Sequence, residues 1–135
     1  MGISLDLAES VIAAARKAAG EAGVVVSLAV VETGGELVAF ARMDGATQGT
    51  GEAAKRKAEA AIALGFDTVH MTATDAAGQP LFGGPQATDS HALVPNGGGI
   101  VIRVGGAVIG GLGVSGAAAS IVDHRIGSAA VEHLN

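Results

Sequence analysis

The sequence predicts an α+β domain in which helices pack on an antiparallel sheet. Two β-branched segments are each followed by a glycine-containing turn and a second apolar run, the pattern of a hairpin. Segments with a 3.6-residue apolar period stand before, between and after the hairpins, giving the order α-β-β-α-loop-β-β-α. At 135 residues the chain accommodates one domain, residues 1–135, with a core of its own.

Ser4 is placed to cap a first helix, along which Leu7, Ala8, Val11, Ile12, Ala15, Ala18, Ala19 and Ala22 follow a 3.6-residue period, with Gly20 and Gly23 marking its end. Val24 to Glu32 is β-branched and too continuous for a strand with one wet face. Thr33-Gly34-Gly35-Glu36 supplies turn chemistry, and ELVAFARM is the returning strand. The loop DGATQGTG leads into a second helix from about Glu52 to Gly65, with Ala54, Ala58, Ala61 and Ile62 as its apolar stripe and Lys55 and Arg56 on a solvated face. Asp67 to Asn96 has weak periodicity and all three prolines, and long irregular segments often carry function. GIVIRV, Gly105-Gly106 and AVIGGLGV form the second hairpin. A last helix follows from near Ala117, with Ser115 as its expected N-cap.

Composition narrows the function. With no cysteine, disulfides and thiolate chemistry are excluded. A net charge of -5 argues against non-specific nucleic-acid binding. No apolar run reaches the length of a bilayer span, and MGISLDLAES carries no signal-peptide pattern, so a cytoplasmic protein without membrane attachment is expected. Ala, Val and Gly dominate and only three Phe serve as aromatics. Small side chains bury little area each, which favours a homo-oligomer.

Gly111 to Gly116, GLGVSG, spells G-x-G-x-x-G. A dinucleotide fold needs a second parallel strand after the following helix, with an acidic residue about 20 positions on. The chain stops at Asn135, directly after that helix, so the glycines are read as sites of close packing. Gly113-Val114-Ser115-Gly116-Ala117 likewise fails as a nucleophile elbow at its last position.

AVVETGGELVAFARMDGA, the helix containing AAKRKAEAA, and PNGGGIVIRVGGAVIGGLGVSG with VDHRIGSAA occur in an order that resembles the GlcG/HbpS haem-binding-like family. That family includes the C-terminal domain of PduO-type proteins. The resemblance covers nearly the whole chain. It implies a five-stranded antiparallel sheet flanked by helices, a homo-oligomer, commonly an octamer, and small-molecule sites near or between subunits. Members range from haem-binding proteins to components of catabolic operons. Some use a histidine near the first helix as iron ligand, and this first helix has none. Asn96-Gly97-Gly98-Gly99-Ile100 stands where the family often has Pro-Gly-Gly-x-Pro.

Candidate site residues follow. Arg42 and Asp44 close the first hairpin, where Arg can hold a carboxylate while Asp fixes its fork. Lys57, near the apolar stripe and matching the family's recurrent lysine, either snorkels outward or points its ammonium into a pocket. His91, in Asp89-Ser90-His91, is the best-placed imidazole for catalysis or iron. Gly97, Gly98 and Gly99 are candidate ligand-binding glycines. Asp123, which recurs in the family pattern, is expected to pair with a cation of a neighbouring subunit or line the pocket, and Asp123-His124 is no dyad, because successive helix residues do not face each other. No histidine pair has metal-site spacing.

Two functions fit these residues. One is a homo-oligomeric binder of haem, a corrinoid or a carboxylated metabolite, using Arg42, Asp44, Lys57, His91 and Gly97 to Gly99. The alternative is a cofactor-independent catabolic enzyme in which Lys57, His91 or Asp44 moves a proton on an organic acid, carbonyl or ring compound.

Overall fold

The structure, a computed structural model, describes residues 2–72 and 97–134. Helix α1 (Leu5–Glu21) begins where the Ser4 hydroxyl accepts the Leu7 amide at 3.1 Å, and it buries Ala8, Val11, Ala15 and Ala19. Strands β1 (Ser27–Glu32) and β2 (Leu37–Arg42) form the first hairpin. Helix α2 (Thr50–Leu64) and a 3-10 turn (Thr68–Thr72) follow. Strands β3 (Gly99–Val104) and β4 (Ala107–Ser115) form the second hairpin, and α3 (Ser120–Val131) closes the order. Gly105 and Gly106 both have positive φ, as the tight turn between β3 and β4 requires.

The sheet runs β2-β1-β4-β3 with every pair antiparallel. This corrects the expected five strands to four among the described residues, because the two hairpins account for the whole sheet and leave β2 and β3 as its edges. It also places GLGVSG inside and just beyond β4, antiparallel to both neighbours, so the dinucleotide geometry is absent.

The two faces of the sheet are built differently. Directly paired residues share a face. The pairs Leu28–Val114, Val30–Leu112 and Ile100–Leu112 put large side chains under α1 and α3, where they form the main core with the buried stripe of α1. The opposite face carries Ala29–Gly113, Val31–Gly111 and Gly99–Gly113. There α2 descends almost backbone to backbone: a Cβ on Gly113 would collide with the Ala54 carbonyl, and one on Gly111 would lie 2.7 Å from the Ala58 oxygen. The glycines of the final strand therefore replace side-chain packing with close approach of the main chain.

Helix α2 lies over β4, β1 and β3 and scarcely reaches the edge strand β2. Leu37, Phe40 and Arg42 pair with Val31, Ala29 and Ser27, so they stand on the α2 face just beyond the helix. Leu37 and Phe40 are 45% and 47% exposed for that reason. The uncovered flank of β2 becomes one side of a groove.

Candidate functional site

Lys57 sits on the buried side of α2 because its neighbours on that face, Ala54, Ala58 and Ala61, press against the sheet. Its side chain does not snorkel outward. It is 5% exposed, and its ammonium donates to the Val114 carbonyl and to Asp123 Oδ2, both at 3.2 Å. Asp123, in the first turn of α3 and 2% exposed, accepts the Ala117 amide on Oδ1 at 3.0 Å. Burying two charges costs several kcal/mol each unless they are paired and their remaining valences filled, and these two largely are.

The glycine loop closes over this pair. Gly98 adopts φ 124° and places the site of its missing Cβ 3.0 Å from Lys57 Nζ, so any side chain there would displace the lysine. The Gly98 carbonyl accepts the Val114 amide at 2.8 Å, and the Gly99 amide donates to Thr68 Oγ1 at 2.9 Å. Beside the pair opens a cavity of about 480 Å³, walled by Lys57, Asp123, Thr47, Thr50, Ser115 and Ser120 together with the Gly116–Ala118 turn. The Thr50 hydroxyl donates to the Thr47 carbonyl at 2.7 Å, so in its 2.9 Å contact with Ser27 it is the acceptor.

A second recess of about 420 Å³ lies across the first turn of α2, between that turn and β2. Leu37 and Phe40 give it an apolar wall, and Arg42 and Lys55 bring two cations to its rim, with Gln48 and Glu52 at the helix start. Gly51 makes room for the Phe40 ring: a Cβ there would lie 2.9 Å from Phe40 Cζ. Phe40, Lys55 and Gly51 were missed as site residues. The only signal for Phe40 was its outward parity on a strand next to Arg42, and Lys55, expected on a solvated face, is half-buried against the groove.

The candidate residues thus fall into separate places. Arg42 faces the groove, but Asp44 does not fix its fork. The turn from Met43 to Ala46, closed by the 3.0 Å Ala46 N–Met43 O bond, brings the Ala46 carbonyl back onto Arg42 Nε and Nη2 at 3.1 and 2.6 Å. Asp44 is exposed and borders, together with Arg42, Arg16 and Met43, a separate recess of about 340 Å³. Lys57 and Gly98 meet in the interior, and Gly97 packs beside Ser120 and His124. His91 lies outside the described residues. Ser115 is not the N-cap of the last helix. It ends β4, while α3 starts at Ser120 behind Ala119, which offers no side-chain cap.

Comparison with known proteins agrees with this architecture. The chain is 34% identical over 114 residues to an uncharacterized 15.0 kDa protein from the dhaT-dhaS intergenic region of Citrobacter freundii, covering 84% of this chain and 80% of that protein. The crystal structure of Klebsiella pneumoniae protein ORFY superposes with a TM-score of 0.84 at 32% identity, over 96% of this chain and 88% of that one. The crystal structure of a PduOC–haem complex superposes with a TM-score of 0.85 at 27% identity, over 100% and 96%. Residues 3–132 match the family described as haem degrading protein HbpS-like, and with nearly its whole length so matched the chain belongs to the HbpS-like family.

Proposed function

We propose that this protein binds haem, with the groove between β2 and the first turn of α2 as its seat. The observation that carries this reading is the union of an apolar wall, Leu37 and Phe40, with two rim cations, Arg42 and Lys55, in a recess of about 420 Å³. A porphyrin needs apolar contact for its ring and cationic donors for its propionates. Arg42 spends Nε and Nη2 on Ala46 and retains further N–H groups for a carboxylate. The PduOC relative forms a haem complex, which supports the same ligand class here.

The residues fit the ring and its acid groups, and no histidine lines the groove among the described residues. When bound, haem supplies an iron centre for ligand binding and redox chemistry. This chain's own contribution is to seat the ring on Phe40, pair its carboxylates with Arg42 and Lys55, and limit water on the covered side. A corrinoid bearing neutral amides would leave those cations unused. Exposed Leu37 and Phe40 on an edge strand also support assembly as a homo-oligomer, in which a second subunit covers the open side of the groove.

The enzyme alternative draws less support, because Lys57 and Asp44 border different recesses and Lys57 is already committed to Asp123. Haemin titration tests the binding reading. A saturable Soret shift is expected, weakened about tenfold in Lys55→Ala and in Phe40→Ala through the lost charge-assisted contact or ring contact. No saturable shift, or one unchanged in both variants, overturns it.

A further inference from the structure

The cavity beside Lys57 shares no lining residue with the proposed haem groove, and its chemistry is of another kind. It is walled mainly by polar groups, and several of them have unspent donors. A protonated lysine has three N–H bonds. Lys57 directs two of them to Val114 and Asp123, which leaves one for a ligand. Ser115 is only 8% exposed, lines the cavity, and its hydroxyl has no hydrogen bond among the described residues. That hydroxyl opens onto the cavity, where a ligand can reach it. Ser120 brings a second hydroxyl at the start of α3, where Ala119 provides no side-chain acceptor for the first amides of a 12-residue helix.

These groups select among ligands. Both oxygens of Asp123 are engaged, Oδ1 by the Ala117 amide and Oδ2 by Lys57, so its acceptor capacity is largely used inside the protein. What remains on the cavity wall is rich in donors and calls for an acceptor. The charge of Lys57 is balanced by Asp123, and the helix start adds about half a positive charge. That suits a single negative charge and is too little for phosphate, which carries nearly two. The hydroxyl-rich lining, without a large apolar side chain, suits a small organic acid rather than a porphyrin ring.

We infer that this cavity binds a small monocarboxylate, its oxygens accepting from Lys57 Nζ, the Ser115 hydroxyl and the open first turn of α3, with Ser120 at the mouth. The site is separate from the haem groove and does not depend on that reading.

Amide NMR spectra of the full chain test it with acetate, pyruvate and benzoate, against acetamide and inorganic phosphate as contrasts. The expected result is saturable shifts of the Ser115, Gly116 and Ser120 amides with at least one of the three acids. Binding should weaken about tenfold in Ser115→Ala, from loss of one hydrogen bond to a charged group. It should vanish in Ala118→Phe, a bulky change at an exposed wall residue that leaves the core untouched. Lys55→Ala, which impairs only the haem groove, should leave it unchanged. Absence of saturable shifts with all three acids overturns the inference. So do equal shifts with acetamide or phosphate, or binding that survives both Ser115→Ala and Ala118→Phe.

Discussion

The ammonium of Lys57 and the carboxylate of Asp123 meet at 3.2 Å with both side chains almost wholly sealed from water, although they stand 66 positions apart in the chain. The pair ties α2, above one face of the sheet, to the start of α3, which packs on the other. Lys57→Met leaves a buried, unpaired carboxylate and should cost ~3–5 kcal/mol. Lys57→Met/Asp123→Asn removes both charges while keeping an acceptor for the Ala117 amide, so it should recover most of that loss. Urea unfolding of the two variants checks this. Equal loss in both would show that the penalty is not one of uncompensated charge.

Packing of α2 on β4 makes Gly113→Ala severe. Its methyl group would meet the main chain of Ala54, which yields only if the whole helix lifts, and a loss at or above the ~1–3 kcal/mol usual for overpacking is expected. Gly127→Ala on α3 would press on the Ile100 side chain at 2.5 Å. Ile100 is buried and β-branched, so this change is costly too, but it meets a side chain rather than main chain, and alanine is the better helix former by about 1 kcal/mol. Thermal melts should rank Gly113→Ala well below Gly127→Ala.

Helix α1 offers a stabilising change and its converse. Gly20 lies in the last turn with open space where a Cβ would go and no positive φ, so Gly20→Ala should add ~0.4–1 kcal/mol. Ser4→Ala removes the acceptor of the Leu7 amide and should cost ~0.5–2 kcal/mol. Denaturant midpoints should move in opposite directions with unchanged slopes.

Gly51 controls room in the groove. Gly51→Leu would drive a side chain into the space held by the Phe40 ring and push that ring into the recess. Haemin affinity should fall at least about tenfold, while far-ultraviolet circular dichroism stays as in the parent, since Phe40 is exposed and outside the core.

Much of the fold was legible because hairpins and amphipathic helices write themselves locally. The double glycine at 105–106 and the Ala8–Val11–Ala15–Ala19 stripe both occur as the pattern implied. The expected Ser115 cap failed because a turn from Gly116, at φ 143°, to the extended Ala119 separates β4 from α3 and moves the helix start to Ser120. The partnership of Lys57 with Asp123 is set by how α2 and α3 lie on the sheet, and no local pattern encodes it. The groove was invisible for a related reason: it exists only because α2 stops short of β2, a matter of helix placement rather than of residue type.

A helix seated on glycine and alanine, main chain against main chain, has no interlocking side chains that could repack to let it roll about its axis. It acts as a keel. Whatever enters the recess on either side of its first turn meets a fixed partition. The apolar, cationic flank and the hydroxyl-lined flank therefore keep their opposite characters whether one, both or neither is filled.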